Sequence, residues 1–271
     1  MLIQRVITAL VLLPLLLALV WYASPPWFYG TLSVIGLGIA WEWTGLMDLR
    51  RTGARIAYLG MTALLLAGSW QAREYWLWFA EASLVWWLAA LWLLRGFPEV
   101  FAPGRPGILF MSVVGQVLIL PTLLCLAVLQ AMPDGPLRVL FVLFLVFAAD
   151  VGAYLAGRNL GRRKLAAAVS PGKTVEGAIG GLVLCGLWAL AAGSTVFHIE
   201  TGNQLLKLVV LSLCVGAFSI VGDLTESMFK RMSGVKDSGT LLPGHGGLLD
   251  RVDSIVAAVP LMTLGLHWLG L

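Results

Sequence analysis

The sequence predicts an all-α, polytopic integral membrane protein with about nine transmembrane helices and a cytoplasmic N-terminus. First, 59% of its 271 residues are hydrophobic and its mean hydropathy is +0.91, values typical of membrane proteins. Second, about 20 apolar residues are needed to cross a hydrocarbon core about 30 Å thick. Nine stretches approach that length, at positions 6–23, 28–47, 56–70, 75–94, 108–131, 137–156, 175–197, 204–226 and 252–270.

The third observation is the distribution of basic residues, which sets the orientation of the spans. With a cytoplasmic N-terminus, nine spans place fifteen of the eighteen Lys and Arg residues in the cytoplasm, leaving Arg73, Arg138 and Lys207 outside. We therefore expect a multi-pass protein of the cell (inner, or cytoplasmic) membrane. The chain is interpreted as one transmembrane domain, 1–271, in which helices 1–131 are a lipid-facing scaffold and helices 137–271 carry the active site.

The first two spans contain two features that need an interpretation. Residues 1–23 resemble a signal peptide, but Trp21 stands where a small residue should precede a cleavage after Ala23, so a retained helix is expected. In the second span, Glu42 lies between Trp41 and Trp43. An isolated carboxylate near a helix end is more often partnered or interfacial than catalytic, and Glu42 is interpreted in that way.

The cytoplasmic end of the sixth span and the loop after it carry the next concentration of polar residues. Asp150 ends an otherwise apolar stretch, which suggests that it faces a polar cavity. The loop from Arg158 to Thr174 has five basic residues and no acidic one. Its Gly-Lys-Thr sequence is not a P-loop, because Ala167 occupies the position of the first required glycine. The interpretation we favour is a helix N-terminus with Thr174 near the cap and Lys173 beside it, which suits phosphate.

The seventh span begins with three small residues that allow neighbouring helices to approach closely, Gly177, Gly180 and Gly181. The three cysteines all lie within predicted spans and show no metal-ligand spacing, so they are interpreted as small buried hydrophobic residues.

The stretch from Gly222 to Asp253 is the most polar part of the chain. Its 32 positions hold five of the fourteen carboxylates and four of the eighteen basic residues, between two apolar spans. Polar groups are costly in such a place, so a functional site is the default hypothesis. Asp223, Glu226, Ser227 and Lys230 have helical spacing and should share one face of a helix.

A glycine-rich loop follows that face, and a second helix start carries Asp250, Asp253 and Ser254. Carboxylates suit Mg²⁺, whereas Lys, Arg and backbone N–H groups suit phosphate oxygens, so the combination predicts a metal–nucleotide site. The alternative is an ordinary solvated cytoplasmic loop. It accounts for the basic residues but not for three aspartates and a Gly-Gly pair at the membrane edge.

Two blocks of residues carry a family resemblance. The first is Ser227-Met228-Phe229-Lys230-Arg231, then Lys236-Asp237-Ser238-Gly239, then Leu242-Pro243-Gly244-His245-Gly246-Gly247-Leu248-Leu249-Asp250-Arg251-Val252-Asp253. The second comprises Asp150, Gly152, Ala153, Tyr154, Gly157, Arg158, Ser170, Pro171, Lys173, Thr174, Glu176 and Gly177. The chain thereby resembles the phosphatidate cytidylyltransferase family, also called CDP-diacylglycerol synthase. Only Val151 and Gly172, in the second block, depart from the commoner Thr and Lys.

The resemblance implies the reaction of CTP with phosphatidate to give CDP-diacylglycerol and pyrophosphate. For this reaction we assign Asp223, Asp250 and Asp253 to Mg²⁺, with room for a second cation, and expect them to act in catalysis together with Lys230 and His245. The groups expected to bind substrate are Arg158, Lys173, Thr174, Ser227, Arg231, Lys236, Asp237, Gly246, Gly247 and Arg251. The expected partners are CTP, phosphatidate and membrane lipid, with no nucleic acid, and the family suggests a homodimer.

Two other functions would require sequence features that can be compared with this chain. A CDP-alcohol phosphotransferase would carry an Asp-Gly-x2-Ala-Arg-x8-Gly-x3-Asp-x3-Asp run, which this sequence lacks. A transporter of an anionic or phosphorylated solute should show repeated halves with broken helices in corresponding positions. Here the polar residues concentrate in the C-terminal half.

Overall fold

The computed structural model describes residues 2–102, 104–241 and 246–271. The described residues form nine α-helices: α1 Leu2–Tyr22, α2 Pro25–Leu46, α3 Thr52–Gln71, α4 Trp76–Arg95, α5 Ile108–Ala131, α6 Gly135–Leu160, α7 Val175–Val196, α8 Gly202–Met232 and α9 Ile255–Leu269. Two short strands, β1 Lys164–Ala166 and β2 Ser170–Thr174, join α6 to α7, and 3-10 turns occupy Arg73–Tyr75, Glu99–Phe101 and Leu249–Arg251.

The all-α prediction is confirmed. Five segments are long and apolar enough to cross a membrane: Arg73–Arg95, Ile108–Ala131, Gly135–Leu160, Val175–Val196 and Gly202–Met232. Shorter apolar helices cover Leu13–Tyr22 and Ile255–Leu269. These lengths and compositions describe a polytopic membrane protein.

The hairpin of β1 and β2 was not predicted, since the segment was interpreted as a basic loop. The strands are antiparallel, with Lys164 opposite Thr174 and Ala166 opposite Ser170. Lys173 lies in β2, two residues before the first residue of α7. The hairpin therefore holds the predicted phosphate-binding lysine on ordered backbone.

Helix α5 forms the centre of the bundle. Of the residues in its most apolar stretch, 72% are buried, compared with 22% in the corresponding stretch of the segment that contains α4. It packs against α2, α4, α6 and α9. Because α4 leaves Trp78 and Trp92 largely exposed, that helix suits contact with lipid.

Helices α6 and α7 pack through glycines, as the small residues of the seventh span predict. A Cβ at Gly152 would overlap the carbonyl of Gly180, and a Cβ at Gly181 would lie 2.7 Å from the carbonyl oxygen of Ala149. The two backbones are therefore in direct contact. This contact brings Asp150, in the C-terminal half of α6, to the cavity that is also lined by Thr174 and Gly177 at the start of α7.

Helix α8 is the longest helix of the described chain, with 31 residues. At 1.5 Å per residue it is about 46 Å long, or about 16 Å longer than a hydrocarbon core of about 30 Å. Its charged residues all follow Gly222 except Lys207. The helix is thus long enough to cross the core with its apolar part and to present its polar part at the membrane surface.

Candidate active site

A cleft of about 410 Å³ lies between the end of α6, the hairpin, the start of α7 and the middle of α8. Its walls combine apolar residues with six polar ones, Asp150, Arg158, Lys173, Thr174, Asp223 and Ser254. Five of these six were singled out from the sequence, and Ser254 was placed on the second helix start. The structure therefore brings the two predicted polar blocks to one cavity.

An ion pair between Lys173 and Asp223 crosses this cleft. The two side chains are 26% and 29% exposed, so the pair is partly shielded yet open to a ligand. Asp150 and Asp253 lie close enough for their charges to interact with that of Asp223. One ammonium group thus faces three carboxylates in this part of the cleft.

The lysine is held by the N-terminus of α7. Thr174 is the N-cap residue, and its side-chain oxygen accepts a hydrogen bond from the backbone N–H of Gly177 at 3.1 Å. This confirms the predicted cap. Glu176 also accepts hydrogen bonds from the backbone N–H groups of Arg162 and Arg163, at 3.0 and 3.1 Å. These contacts fix both strands of the hairpin to the helix.

A second charged cluster is formed by Lys230, Glu226 and Asp250. Lys230 pairs with Glu226 one turn earlier on α8, and its Nζ lies 2.7 Å from Asp250 Oδ1. The three side chains are 11% exposed or less. Two buried carboxylates therefore share one ammonium group, an arrangement that is stable only while the lysine remains.

Asp250 also organises the loop that precedes it. It accepts hydrogen bonds from the backbone N–H groups of Ser238 at 3.0 Å and Gly247 at 2.9 Å. Burial raises the pKa of Asp250, but the hydrogen bonds from Lys230 and these two amides outweigh it and bring the pKa to about 2. Asp250 is consequently ionised at any physiological pH.

The polar face predicted on α8 is present, but its residues have separate partners. Ser227 donates a weak hydrogen bond to Asp223 at 3.4 Å, while Asp223 points to the hairpin and Lys230 points to Asp250. Asp223 is paired with Lys173 of the hairpin, whereas Lys230 is paired with Asp250 of the 3-10 turn. The division therefore comes from the elements that supply the two partners.

The remaining predicted substrate-binding residues lie at the edges of these two clusters. Arg231 donates to the carbonyl oxygens of Val169 and Val235, at 3.3 and 3.4 Å, and so joins the hairpin to the loop. Arg158 donates to the hydroxyl of Tyr154 at 2.9 Å. Three others are exposed, Lys236, Asp237 and Arg251, and His245 lies outside the described residues.

Glycine is required at positions 246 and 247 for different structural reasons. Gly246 has a φ of +84°, in the left-handed region that favours glycine. A Cβ at Gly247 would clash with the side chains of Ser238 and Glu42. Both glycines are expected from the sequence to bind substrate, and the structure adds a packing reason for Gly247.

Glu42 lies near the site, although the sequence alone does not predict this. It is buried, with 3% exposed, and accepts hydrogen bonds from residues about 200 positions later in the chain. The interpretation of Glu42 as a partnered group is confirmed. An intramembrane carboxylate between two tryptophans was the available signal, but nothing in the spacing identified its partners.

The fit of a divalent cation depends on the carboxylates. Within the described ranges there is no group of three or more His, Cys, Asp or Glu side chains arranged to hold a metal. Oxygen donors of the right chemistry do converge, since Asp150 and Asp253 both interact with Asp223. These oxygens suit Mg²⁺ in chemistry around Asp223, whereas Asp250, the third predicted ligand, pairs with Lys230 in the second charged cluster.

Comparison with known proteins gives a consistent result over the whole chain. The profile of the cytidylyltransferase family matches residues 3–269. A protein of Pseudomonas aeruginosa named phosphatidate cytidylyltransferase is 42% identical over 264 residues, covering 96% of this chain and 95% of its own length. Proteins of the same name from Haemophilus influenzae and Brucella suis are each 36% identical, cover 96% of this chain and are themselves covered over 96% and 91%.

Proposed function

The chain belongs to the cytidylyltransferase family, and we propose that it transfers the cytidylyl group of CTP to phosphatidate, giving CDP-diacylglycerol and pyrophosphate. The observation that carries this proposal is the cleft in which Lys173 and Asp223 meet. It is lined by residues of the block from Asp150 to Gly177, and by Asp223 and Ser254, which lie just before and just after the other block. In this cleft Lys173, the proposed phosphate-binding group, contacts Asp223, the proposed metal ligand.

In this reaction an oxygen of the phosphatidate phosphate forms a bond to the α-phosphorus of CTP. The bond from that phosphorus to the bridging oxygen breaks, and pyrophosphate leaves with the electron pair. The attacking oxygen is already anionic, so no strong general base is required. The barrier is the repulsion between two anions, and fixed positive charges lower it by neutralising phosphate oxygens.

The residues of the cleft are suited to this task. Lys173 and Arg158 present positive charge to phosphate oxygens, and the capped N-terminus of α7 adds a helix dipole. Asp223 and Asp253, with Asp250 as the third predicted ligand, would hold Mg²⁺. When bound, Mg²⁺ supplies Lewis-acid neutralisation of phosphate oxygens. Lys230 would keep Asp250 and its loop in place beside the cleft.

The outer wall of the cleft favours a lipid substrate. Val151, Tyr154 and Leu155 on α6 are each at least half exposed, and Tyr154 also lines the cleft. Large exposed apolar groups of a membrane helix suit contact with acyl chains. Phosphatidate could thus reach the polar groups from the side while its chains stay in the bilayer.

The activity is tested with purified protein, CTP labelled in the cytosine ring and phosphatidate in detergent micelles. We expect the label to appear in a lipid-extractable product, with one pyrophosphate released for each label transferred. An anion transporter would instead move labelled solute into vesicles without forming a lipid product, and that result would contradict the proposed reaction.

We further propose that the chain crosses the inner membrane of the cell nine times and that its N-terminus is cytoplasmic. The active site then faces the cytoplasm. Lys173, Lys230 and Arg231 would then all lie on the cytoplasmic side, where CTP is present. The homodimer suggested by the family resemblance is part of the same proposal.

This topology predicts opposite labelling of two introduced cysteines in a cysteine-free variant. Gly172→Cys lies at the exposed hairpin, where a Cβ meets no other atom, and should be protected from a membrane-impermeant thiol reagent in intact cells. A cysteine added after Leu271 should react. Labelling of both positions, or of neither until lysis, would be incompatible with nine spans.

A further inference from the structure

The carboxylate of Glu42 is bound by the loop between α8 and the 3-10 turn at Leu249–Arg251. Its Oε2 accepts hydrogen bonds from the backbone N–H of Leu249 at 2.9 Å and from the hydroxyl of Ser238 at 3.2 Å. Its Oε1 accepts from the backbone N–H of Leu241 at 3.4 Å. A residue of α2 thus holds the described parts of the 238–249 loop from both ends.

Ser238 connects Glu42 to the charged cluster of the candidate active site. Its hydroxyl donates to Glu42, while its backbone N–H donates to Asp250 at 3.0 Å. Asp250 in turn contacts Lys230 at 2.7 Å. The hydrogen bond from Ser238 to Glu42 therefore helps to position Asp250, with Ser238 as the one residue between them.

Two glycines of the loop leave space for this carboxylate. A Cβ at Gly239 would overlap the Glu42 side chain, and a Cβ at Gly247 would lie 2.7 Å from Glu42 Oε2. The loop backbone therefore closes around the carboxylate on two sides. Because a buried carboxylate is costly without donors, and loop amides are costly without acceptors, each stabilises the other in this position.

We propose that Glu42 is a positioning residue for cytidylyl transfer, which fixes the described parts of this loop, 238–241 and 246–249, and through them Asp250 and Lys230. The inference rests on the proposed function for its catalytic consequence. It also makes the N-terminal half a contributor to the active site, in addition to its place in the bundle. Glu42 lies outside the cleft and acts through the loop, so its role is separate from the contacts made by Lys173 and Asp223.

The test compares Glu42→Gln with the matched control Glu81→Gln, which changes an exposed carboxylate on α4. The amide keeps the size of the side chain but presents an NH₂ group where an acceptor is needed. We expect hydrogen exchange, measured by mass spectrometry in detergent, to be at least about tenfold faster in peptides spanning 238–249. Peptides of the 164–174 hairpin should exchange as in the unmodified protein.

For the same variant, kcat/KM for CTP should fall about 10- to 100-fold, the range for losing hydrogen bonds to a charged group. Glu42→Asp, which keeps the charge, should recover part of both losses. Unchanged loop exchange, or faster exchange in loop and hairpin alike, would overturn the positioning role. The exchange experiment does not require turnover, so it still decides on Glu42 if the unmodified protein transfers no cytidylyl group and the proposed function fails.

Discussion

Replacing Asp223 or Asp250 by asparagine is expected to lower cytidylyl transfer by at least about 10²-fold, the scale for removing one key electrostatic stabiliser. Asparagine keeps the shape of each side chain but removes its charge. At position 223 this deprives Lys173 of its partner and the proposed metal site of its central ligand. At position 250 it weakens contacts to Lys230 and to two loop amides.

The measurement is transfer activity against Mg²⁺ concentration for both single variants and the double variant. Raised Mg²⁺ should restore part of the activity, and the double variant should be little worse than either single, because residues that act as a unit are not additive. Asp134→Asn is the control, since Asp134 pairs with His198 at the opposite end of α6. Near-normal activity of a single variant at low Mg²⁺ would remove that residue from the metal site.

Replacing Lys173 or Lys230 by alanine should reduce the use of CTP by about 10- to 150-fold, since each loses charge-assisted contacts worth about 1.5–3 kcal/mol. The two variants should differ in stability. Lys173 is partly exposed, so its removal leaves a hydrated Asp223. Lys230 is 11% exposed between Glu226 and Asp250, and removing one partner of a buried pair costs about 3–5 kcal/mol.

Activity and the thermal unfolding midpoint in detergent should therefore fall together for Lys230→Ala, whereas Lys173→Ala should lose activity alone. Arg105→Ala changes a basic residue whose side chain is 55% exposed and does not line the cleft, and it should leave both properties unchanged. Equal losses in all three variants would indicate defective membrane insertion and would argue against specific phosphate contacts.

The bundle could be predicted from the sequence because hydropathy and length act locally. Each predicted span overlaps an α-helix, and the cap at Thr174 follows from residues adjacent in the chain. The hairpin could not be predicted in the same way. Its strands have three and five residues and contain Lys164, Pro171 and Gly172, so they show no alternation of apolar and polar positions.

The composition of the candidate site was predictable, but its internal pairing was not. Helical spacing correctly places Asp223 and Lys230 on one face of α8. It carries no information on which element covers each part of that face, and the structure gives the two residues different partners. Glu42 shows the same limit, since its donors are about 200 residues away and two of the three are backbone amides, which every sequence contains.

The pairing of Lys173 with Asp223 has a consequence for the order of ligand binding. In the absence of ligands the two groups neutralise each other. An anion that binds Lys173 alone would leave Asp223 without its partner, and a cation that binds Asp223 alone would leave Lys173 without its partner. A metal–nucleotide complex compensates both groups at once. Binding of the two components should therefore be linked, each increasing the affinity for the other by the same factor. In the Mg²⁺ titrations, this linkage would make the KM for CTP fall as the Mg²⁺ concentration rises. The Lys173–Asp223 pair would be replaced by contacts to nucleotide and metal, and binding of the metal–nucleotide complex would be favoured over binding of either component alone.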